Sequence, residues 1–479
     1  MITPELVLQK YFGYSNFRYD QKIIIEHLLN HKDVLAILPT GGGKSVCYQV
    51  PGIILGGTTI VVSPLISLMK DQVDHLLKRG ITAAYLNSSL NEDEQQTFFT
   101  NFTAGQYQFV YVAPERLKSE TFLVAAQKTS IPLLAIDEAH CVSQWGHDFR
   151  PEYLLIHSFL QKLHSRPTLI ALTATATPKV RSEIIAFTGL SYPKIFLSSF
   201  KRSNLSVFNK FCTSENEKIW WLMKLWSEFK DQKVIIYCAT RAQTVYHANL
   251  ATHFGFECTS YHAGLDHEVK NTVQANFTYG KINMIAATNA FGMGIDIPDI
   301  RLIIHVQLPQ NLESYYQEIG RAGRDGADSF CYLLHTKHDK EVSEAIFIKH
   351  NPDPEKKKRA AQQRANVFKV FTPQICRSRG ILRYFGEQNV EQCGKCDVCT
   401  PNFSLISNQE KHQRTQIWHI VQKNRQNFSS SFPGYITTQQ VKFLALKSTL
   451  PLEKKVVLGG GRGFTNTLRA LKIDTNFPE

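Results

Sequence analysis

The stretch Leu38-Pro39-Thr40-Gly41-Gly42-Gly43-Lys44-Ser45 decides the fold prediction for this chain. The apolar run at 33–38 predicts a buried strand, and the sequence from Val46 onward predicts a helix. Three glycines between them leave backbone N–H groups free to surround phosphates, Lys44 supplies a mobile positive charge, and the Ser45 hydroxyl can hold Mg²⁺. The residues predicted to bind nucleotide phosphates are Thr40, Gly41, Gly42, Gly43, Lys44 and Ser45. The general pattern has a glycine at the position of Leu38, and the alternative, a glycine turn beside an incidental Lys-Ser pair, is weakened by the motifs further along the chain.

Length and composition favour a protein of several domains that binds a polyanion. The 479 residues predict roughly three domains, and 43% of them are hydrophobic, which is enough for ordinary cores. The formal net charge of +13 favours a polyanionic partner, although an anionic membrane surface would give the same signal. No apolar run reaches the length of a membrane span, and the N-terminus turns polar within a few residues, which predicts a cytoplasmic protein. The ten cysteines then predict free thiols or metal ligands rather than disulfides.

Short apolar segments alternate with helical patterns in two series along the chain. This alternation predicts an α/β protein with two parallel sheets covered by helices. The predicted strands of the first series, after the glycine loop, are 58–62, 108–112, 133–136 and 168–172. Those of the second series are 233–238, 258–262, 282–287, 301–306 and 329–334. Only the first series has a glycine loop, so only the first α/β domain is predicted to hold phosphates.

Two adjacent carboxylates, Asp137 and Glu138, follow the predicted strand 133–136. The carboxyl ends of parallel strands are where α/β sheets bind ligands, so these acids can face the glycine loop. Asp137 suits Mg²⁺ coordination, and Glu138 suits orienting or deprotonating an attacking water. A solvated turn or a helix cap is the alternative, and the upstream phosphate loop favours the catalytic interpretation.

Arg321 and Arg324 lie in the stretch Gln-Glu-Ile-Gly-Arg-Ala-Gly-Arg-Asp-Gly at 317–326. Their spacing of three predicts one helical face, among small residues that allow close approach to another surface. Guanidinium groups match phosphate oxygens and can neutralise charge that develops on a γ-phosphate. Arginines that are solvated or paired with local acids are the alternative.

Four cysteines form the pattern C-x16-C-x2-C-x2-C: Cys376, Cys393, Cys396 and Cys399. Four thiolates at this spacing can close a tetrahedral Zn²⁺ site of the structural kind, which needs no open position. Free buried cysteines are the alternative, and three cysteines within seven residues make it the weaker one.

Taken together, the motifs resemble those of the RecQ family of DNA helicases in order and wording. The motifs are TGGGKS at 40–45, SPLISLMKDQ at 63–72, DEAH at 137–140, LTATAT at 172–177, ATNAFGMGID at 287–296 and QEIGRAGRDG at 317–326. The resemblance extends to FGYSNFRYDQ at 12–21, to SQWGHDFRPEY at 143–153, which is similar to the family's aromatic-rich loop, and to the cysteine cluster. It covers about residues 7–400, and it fades beyond them.

The resemblance implies an activity and a role for particular residues. It implies ATP-dependent 3′→5′ unwinding of DNA by two RecA-like domains, a helical zinc-binding module, and the cofactors ATP, Mg²⁺ and Zn²⁺. The implied adenine-binding residues are Arg18 and Gln21, and the implied DNA-binding residues are Trp145 and Phe149, which stack on bases, and Arg150, which binds phosphates. Arg324 is implied to contact the γ-phosphate with support from Arg321, and Thr173 and Thr175 to link ATP state to domain closure. Core aromatics are the alternative for Trp145 and Phe149, and a helix-capping turn is the alternative for the two threonines.

The predicted domains are 1–200 and 201–340 for the two helicase domains, 341–401 for the zinc module, and 402–479 for a short C-terminal module that could form a reduced winged helix. The predicted partners are single-stranded DNA and tailed or forked duplexes in recombination and repair, at the nucleoid if the source is bacterial. Two rival functions stay open: a DNA-stimulated translocase that unwinds poorly because its tail is short, and a DNA-binding or annealing protein that uses ATP only as a clamp. The intact set of Lys44, Asp137, Glu138 and Arg324 argues against the clamp.

Overall fold

The computed structural model describes residues 2–39, 41–146, 148–292, 297–339 and 353–401. These residues divide between two compact units. The first unit takes in the described residues of Met1–Lys201, Glu313–Gly320 and Ile381–Val390, and the second takes in those of Arg202–Leu312, Arg321–Gly380 and Glu391–Glu479. The predicted winged helix at 402–479 lies outside the described residues. Within those ranges, no helix is long and apolar enough to cross a membrane.

The first unit is built on a seven-stranded sheet in which every pair of neighbouring strands is parallel. The strand order is β3-β4-β2-β5-β6-β1-β7. The strands are β1 Val34–Ile37, β2 Thr59–Val62, β3 Ala83–Leu86, β4 Phe109–Val112, β5 Leu133–Ile136, β6 Thr168–Thr173 and β7 Lys194–Leu197. Strands β1, β2, β4, β5 and β6 are buried at every position. Because side chains alternate between the two faces of a strand, both faces of the central sheet are covered.

Helices connect these strands, as parallel pairing requires. The α-helices are Pro4–Val7, Gln21–Leu29, Val46–Leu55, Ile66–Leu77, Glu92–Thr103, Glu120–Gln127, Leu155–Lys162 and Pro178–Thr188. Leu8–Phe12 is a π-helix, and Pro114–Lys118, Ala139–Val142 and Pro151–Leu154 are short 3₁₀-helices. Side-chain caps set several starting points: Asn91 forms a capping box with Glu94, and the Thr177 hydroxyl accepts the Val180 N–H.

The second unit is built on a six-stranded parallel sheet in the order β10-β11-β9-β12-β13-β8. Its strands are β8 Leu205–Phe211, β9 Lys233–Tyr237, β10 Cys258–Tyr261, β11 Met284–Ala287, β12 Ile300–His305 and β13 Ser329–His335. Its helices are Glu215–Glu228, Arg241–His253, His267–Thr278 and Pro354–Val370; two further helices, Leu312–Ile319 and Arg377–Tyr384, contribute residues to both units. The apolar face of Glu215–Glu228 packs Leu222, Met223 and Trp226 into the core beside β9 and β12.

The α/β prediction is confirmed, and each predicted strand lies within two residues of an observed one. Strands β3, β7 and β8 were not predicted. The predicted helical face for the two arginines is wrong, because the helix Leu312–Ile319 ends before Arg321. Both arginines lie in the turns that follow, where Gly323 has a φ of +54°.

Candidate nucleotide and zinc sites

The glycine loop between β1 and helix Val46–Leu55 has the backbone of a phosphate cradle. Gly41 and Gly43 have φ values of +78° and +71°, which glycine adopts without steric strain. At Gly42 a Cβ atom would lie 2.9 Å from the Pro39 carbonyl oxygen, which accepts the Gly42 N–H in a tight turn. Glycine is therefore required along this loop, as its sequence predicted. Thr40 lies outside the described residues.

Gln21 is buried against the same loop. Its Nε2 group donates to the carbonyl oxygens of Gly42 and Gly43, at 3.1 Å each, and its Oε1 accepts the Arg18 N–H at 2.8 Å. The Arg18 guanidinium lies 5.7 Å from the centre of the Tyr14 ring. The two residues implied to bind adenine are thus adjacent to each other, and Gln21 is in direct contact with the phosphate loop.

Asp137 is a partly exposed residue that directly follows β5. Desolvation raises its pKa, the Glu138 carboxylate raises it further and Lys44 lowers it, with a resulting pKa of about 7. The loop lysine Lys44 is therefore close enough to Asp137 to stabilise its carboxylate. The Asp137 pKa stays raised although Lys44 and His140 both lower it, which favours a further cation, so the oxygen atoms of Asp137 and Ser45 fit Mg²⁺.

Glu138 adopts a left-handed backbone conformation, with φ +45° and ψ +46°. Its N–H donates to Asp137 Oδ1 at 3.0 Å, and its Oε2 lies 3.2 Å from His140 Nδ1. The Tyr153 hydroxyl donates to the Asp137 carbonyl oxygen at 2.8 Å. The strained turn therefore gives the two adjacent carboxylates different surroundings.

His140 connects this turn to the neighbouring strand β6. Its Nδ1 also lies 2.9 Å from Thr173 Oγ1. Burial lowers the pKa of His140, but its contacts with Cys141 and Glu138 outweigh burial and raise that pKa to about 10. The Thr173 hydroxyl in turn contacts the backbone of Thr175. Sequence reasoning gave no role to His140 or Tyr153, and the only signal was the position of His140 in DEAH.

The loop 143–150 presents two partly exposed aromatic side chains, Trp145 and Phe149. The Trp145 N–H donates to Ser143 Oγ at 3.1 Å, and Lys179 Nζ lies 3.3 Å from the centre of the Trp145 ring. Partial exposure argues against the core alternative for both aromatics. His147 lies outside the described residues.

Arg150 is held by partners within the first unit. Its Nε and Nη2 donate to Asp148 Oδ2, at 3.2 and 3.0 Å, and its Nη1 donates to the Pro64 carbonyl oxygen. The Arg150 N–H donates to the Cys141 carbonyl oxygen at 2.9 Å. The arginine thus ties the aromatic loop to the segment that leads into helix Ile66–Leu77.

In the second unit, Arg321 is buried and its Nη1 donates to the Gly292 carbonyl oxygen. Arg202 stabilises the backbone of the turn that carries Arg324. Its Nη2 donates to the carbonyl oxygens of Ala322 and Gly323, at 2.9 and 3.1 Å. The Arg324 side chain is partly buried.

The four cysteines of the spacing pattern do converge. The sulfur atoms of Cys376, Cys393, Cys396 and Cys399 all lie within 4.8 Å of one another. Cys393 Sγ and Cys399 Sγ are 3.9 Å apart; a tetrahedral Zn²⁺ with Zn–S bonds of about 2.3 Å requires sulfurs roughly 3.8 Å apart. Hydrogen bonds among these thiols lower the pKa of Cys396 and raise that of Cys393, so the zinc assignment rests on the convergence of the four sulfur atoms. The cluster therefore fits the predicted metal.

An ion pair between buried Arg377 and partly exposed Asp397 holds the two halves of the cysteine cluster together. Arg377, next to Cys376, donates from Nε and Nη2 to the carboxylate of Asp397, at 2.9 and 2.7 Å, and Asp397 is next to Cys396. Arg377 Nη1 also donates to the carbonyl oxygens of Val370 and Thr372. This pairing was not predicted, because the two residues are distant in sequence.

Three known families match successive parts of the chain. The DEAD/DEAH box helicase family matches residues 18–184, the helicase conserved C-terminal domain matches 217–326, and the RecQ zinc-binding family matches 337–400. The nucleotide site described above falls in the first match and the cysteine cluster in the third.

Individual proteins give the same assignment. The ATP-dependent DNA helicase RecQ of Bacillus subtilis (strain 168) is 40% identical over 395 residues, covering 82% of this chain and 66% of that protein, so the chain spans slightly less than two thirds of it. "Probable ATP-dependent DNA helicase RecS" of the same organism is 41% identical, covering 72% of this chain and 70% of that protein. The solved structure "S. cerevisiae Dbp5 bound to RNA and ADP BeF3" has the same fold, with a TM-score of 0.56, 19% identity and coverage of 77% of this chain and 98% of that one. The chain therefore belongs to the RecQ family of superfamily 2 helicases.

Proposed function

We propose that this chain is an ATP-dependent 3′→5′ DNA helicase that couples ATP hydrolysis to translocation on single-stranded DNA and to duplex unwinding in recombination and repair. The observation that carries the proposal is the joint presence of a glycine cradle, a loop lysine that lowers the pKa of the strand-end carboxyl of Asp137, and a RecQ-type cysteine cluster. The proposed substrates are ATP and single-stranded, tailed or forked DNA.

The nucleotide site belongs to the first unit in this proposal. The loop from Thr40 to Ser45 surrounds the phosphates, with Lys44 as the mobile charge. Ser45 and Asp137 hold Mg²⁺, which neutralises charge on the phosphate oxygens. Glu138 orients or deprotonates the attacking water. Its left-handed backbone sets the direction of the carboxylate, and its contact with His140 connects it to Thr173.

Arg18 and Gln21 bind the adenine base in the same proposal. The Gln21 amide already donates to the loop carbonyls of Gly42 and Gly43. Base binding and loop conformation are therefore linked through a single side chain.

Arg321 and Arg324 of the second unit act on the γ-phosphate during turnover. The conformation of the turn that carries them supports this role: Gly323 is left-handed, and Arg202 donates hydrogen bonds to the backbone of the turn. A guanidinium fork suits the charge spread over the transferring phosphoryl group.

DNA is proposed to bind at the aromatic loop, where Trp145 and Phe149 stack on bases and Arg150 binds phosphates. Their partial exposure supports this role. Because Arg150 is paired with Asp148, phosphate binding would exchange one anionic partner for another.

The cysteine cluster is proposed to hold one structural Zn²⁺ through Cys376, Cys393, Cys396 and Cys399. The domain limits 1–200, 201–340 and 341–401 remain part of the proposal, and the match of the RecQ zinc-binding family to 337–400 supports the third of them.

Two assays test the proposed function. Steady-state ATP hydrolysis is measured with and without single-stranded DNA, and unwinding is measured on duplexes with a 3′ tail or a 5′ tail; Lys44→Ala is the inactive control. The proposal predicts DNA-stimulated hydrolysis and unwinding of the 3′-tailed duplex only. Stimulated hydrolysis without unwinding would indicate a translocase, and DNA binding without hydrolysis would indicate a clamp.

A further inference from the structure

The segment 384–387 contacts helix Leu312–Ile319, whose residues from Glu313 onward belong with it to the first unit. The Tyr384 hydroxyl donates to Glu313 Oε1 at 2.5 Å. Glu313 lies in the first turn of the helix and is only 3% exposed. A buried carboxyl group is costly to desolvate and needs hydrogen-bond partners, so this bond fixes the start of the helix to Tyr384.

Phe385 reaches the same helix through Phe200. The two rings are stacked, with centroids 4.4 Å apart and planes 12° from parallel. Tyr316 packs edge-on against both rings, and its hydroxyl donates to the Phe200 carbonyl oxygen at 2.9 Å. All three side chains are buried. Tyr316 follows Glu313 by three residues and lies on the same face of the helix, so both sets of contacts hold that face.

Further hydrogen bonds fix the segment 384–387 to the first unit. The Glu387 carboxylate accepts the Phe200 N–H at 2.6 Å and the Ser199 hydroxyl at 3.0 Å. Arg181, on helix Pro178–Thr188, donates from Nη2 to the Phe385 carbonyl oxygen at 2.5 Å. The segment is therefore a fixed support for helix Leu312–Ile319.

The supported helix leads directly into the turn that carries Arg321 and Arg324. The Gly320 N–H donates to the Tyr316 carbonyl oxygen at 2.9 Å, so helical hydrogen bonding continues to the residue before Arg321. The orientation of the helix therefore sets the direction in which the backbone enters the turn. Groups that act on a reacting centre tolerate little displacement, since a shift of about 1 Å can lower a rate by about 10²-fold.

We propose that Tyr384 is a positioning residue for ATP hydrolysis: through its hydrogen bond to Glu313 it holds helix Leu312–Ile319 in the orientation that places Arg324 for turnover. This inference rests on the role proposed for Arg324 in the helicase. Tyr384 acts through the helix and the turn, and not on the nucleotide. It lies within the match to the RecQ zinc-binding family at 337–400, so this part of the chain contributes to turnover as well as to metal binding.

The first test compares Tyr384→Phe with Tyr107→Phe, a control that removes a hydroxyl bonded to Asn101 elsewhere in the first unit. Tyr384 is partly exposed, and phenylalanine keeps its ring. In Tyr384→Phe we expect the turnover number of DNA-stimulated ATP hydrolysis to fall about tenfold, the effect of one hydrogen bond to a carboxyl group. The dissociation constant of a fluorescent ATP analogue and the zinc content should stay near the wild-type values. Tyr107→Phe should keep the full turnover number, and a loss of nucleotide affinity in Tyr384→Phe as large as the loss of turnover would overturn the proposal.

A second pair of variants changes the acceptor of the same hydrogen bond. Glu313→Gln keeps an oxygen that can accept the Tyr384 hydroxyl, whereas Glu313→Met keeps only the length of the side chain. Both variants remove the charge, so a difference between them comes from the hydrogen bond. Glu313→Gln should hydrolyse ATP about tenfold faster than Glu313→Met, and adding Tyr384→Phe to each should erase the difference.

A double variant tests whether Tyr384 acts through Arg324. Arg324→Ala/Tyr384→Phe should hydrolyse ATP at the rate of Arg324→Ala alone, measured in single turnovers, because a positioning residue has no effect once the group that it positions is gone. Effects that multiply in the double variant would assign Tyr384 a general structural role and overturn the proposal.

The outcomes separate this inference from the proposed function. A wild-type protein that does not hydrolyse ATP would overturn both. Slow turnover in Arg324→Ala, together with wild-type turnover in Tyr384→Phe and equal turnover in Glu313→Gln and Glu313→Met, would overturn the positioning role alone.

Discussion

Asp137 and Glu138 show how one turn gives two adjacent carboxylates different properties. Desolvation and the Glu138 carboxylate raise the pKa of Asp137 to about 7, so its charged form favours a compensating cation. Glu138 is partly exposed and lies beside His140. The two carboxylates therefore differ in their polar partners: Asp137 is influenced by Lys44, and Glu138 lies beside His140.

At the same scale, Arg324→Ala should lower DNA-stimulated ATP hydrolysis severely while nucleotide affinity changes little. An arginine that acts on the transferring phosphoryl group works chiefly in the transition state, with effects of order 10³–10⁵ on turnover. The measurement is the turnover number together with the dissociation constant of a fluorescent ATP analogue.

Two further variants distinguish an effect on turnover from an effect on nucleotide binding. Arg324→Lys should not restore turnover, because an ammonium group lacks the guanidinium fork. Lys44→Ala should weaken nucleotide binding as well as turnover. Normal stimulated hydrolysis in Arg324→Ala would contradict the role proposed for the second unit.

Trp145→Ala should weaken binding of single-stranded DNA by roughly 1–3 kcal/mol if a base stacks on the ring. It should also reduce DNA stimulation and leave basal ATP binding intact. Fluorescence anisotropy of a labelled oligonucleotide measures the affinity. Tyr192→Ala, which removes a fully exposed aromatic from the same unit, is the control. Equal affinity in Trp145→Ala and wild type would assign Trp145 a packing role.

At the scale of the element, the strands that sequence patterns missed share one property. Strands β3, β7 and β8 all lie at sheet edges. In β7 only Phe196 is buried, so the apolar run that marks a central strand is absent. The central strand β5 is apolar at every position because both faces of the sheet are covered, and its bounds were predicted as 133–136, where it lies.

The turn after helix Leu312–Ile319 was predicted wrongly for a different reason. The spacing of Arg321 and Arg324 matched one helical turn, but the glycines around them carry the stronger signal. Gly323 needs φ +54°, which an α-helix cannot supply. The glycines at 320 and 323 were therefore a better guide to the local backbone than the spacing of the two arginines.

The cysteine cluster belongs to the element scale as well, since it joins the start of helix Arg377–Tyr384 to the loop at 393–399. We expect about one Zn²⁺ per chain, and Cys396→Ala should lose the metal and become poorly soluble, because metal affinity and folding of this segment are coupled. Elemental analysis of unchelated protein measures the stoichiometry. Cys212→Ala, a buried cysteine outside the cluster, should keep the metal. Native protein without zinc would contradict the assignment.

The helix Arg241–His253 carries a buried histidine that should make stability depend on pH. Burial, with a contribution from Lys218, lowers the pKa of His247 to about 3. Below the unfolded pKa of about 6.5 the unfolded chain binds a proton that the folded chain does not, so the free energy of unfolding falls as pH falls, by up to about 1.4 kcal/mol per unit. His247→Leu should make this decline shallower between pH 6.5 and 5, measured by denaturant unfolding. Exposed His267→Leu should not, and equal slopes for His247→Leu and wild type would contradict the prediction.

At the scale of the whole molecule, the net charge of +13 predicts DNA binding that weakens steeply with salt. Each phosphate contact contributes about 0.7 to the slope of log affinity against log salt concentration for a single strand. Arg150→Ala should lower the magnitude of that slope by about this amount if Arg150 binds a phosphate. Titrations at several salt concentrations measure it, and an unchanged slope would limit Arg150 to its contacts with Asp148 and Pro64.

How far the site could be predicted depends on whether its parts are close in sequence. The glycine loop, the carboxylate pair and the cysteine spacing are local patterns; the structure shows left-handed glycines in the loop and convergence of the four cysteine sulfurs. Contacts between distant residues could not be predicted, such as His140 with Thr173, Gln21 with Gly42, and Arg377 with Asp397. The sequence therefore predicts which side chains are reactive, whereas the fold determines which neighbours shift their pKa values and fix their positions.

The left-handed backbone at Glu138 has a consequence for selection experiments. A non-glycine residue in this conformation is strained by about 1–2 kcal/mol, and glycine would relieve the strain. A library of variants selected only for thermal stability would therefore be enriched in glycine at position 138. Each variant with that glycine would lack the carboxylate proposed to activate water. At this position selection for stability opposes selection for the proposed turnover, so a directed-evolution experiment on this protein has to measure both from its first round.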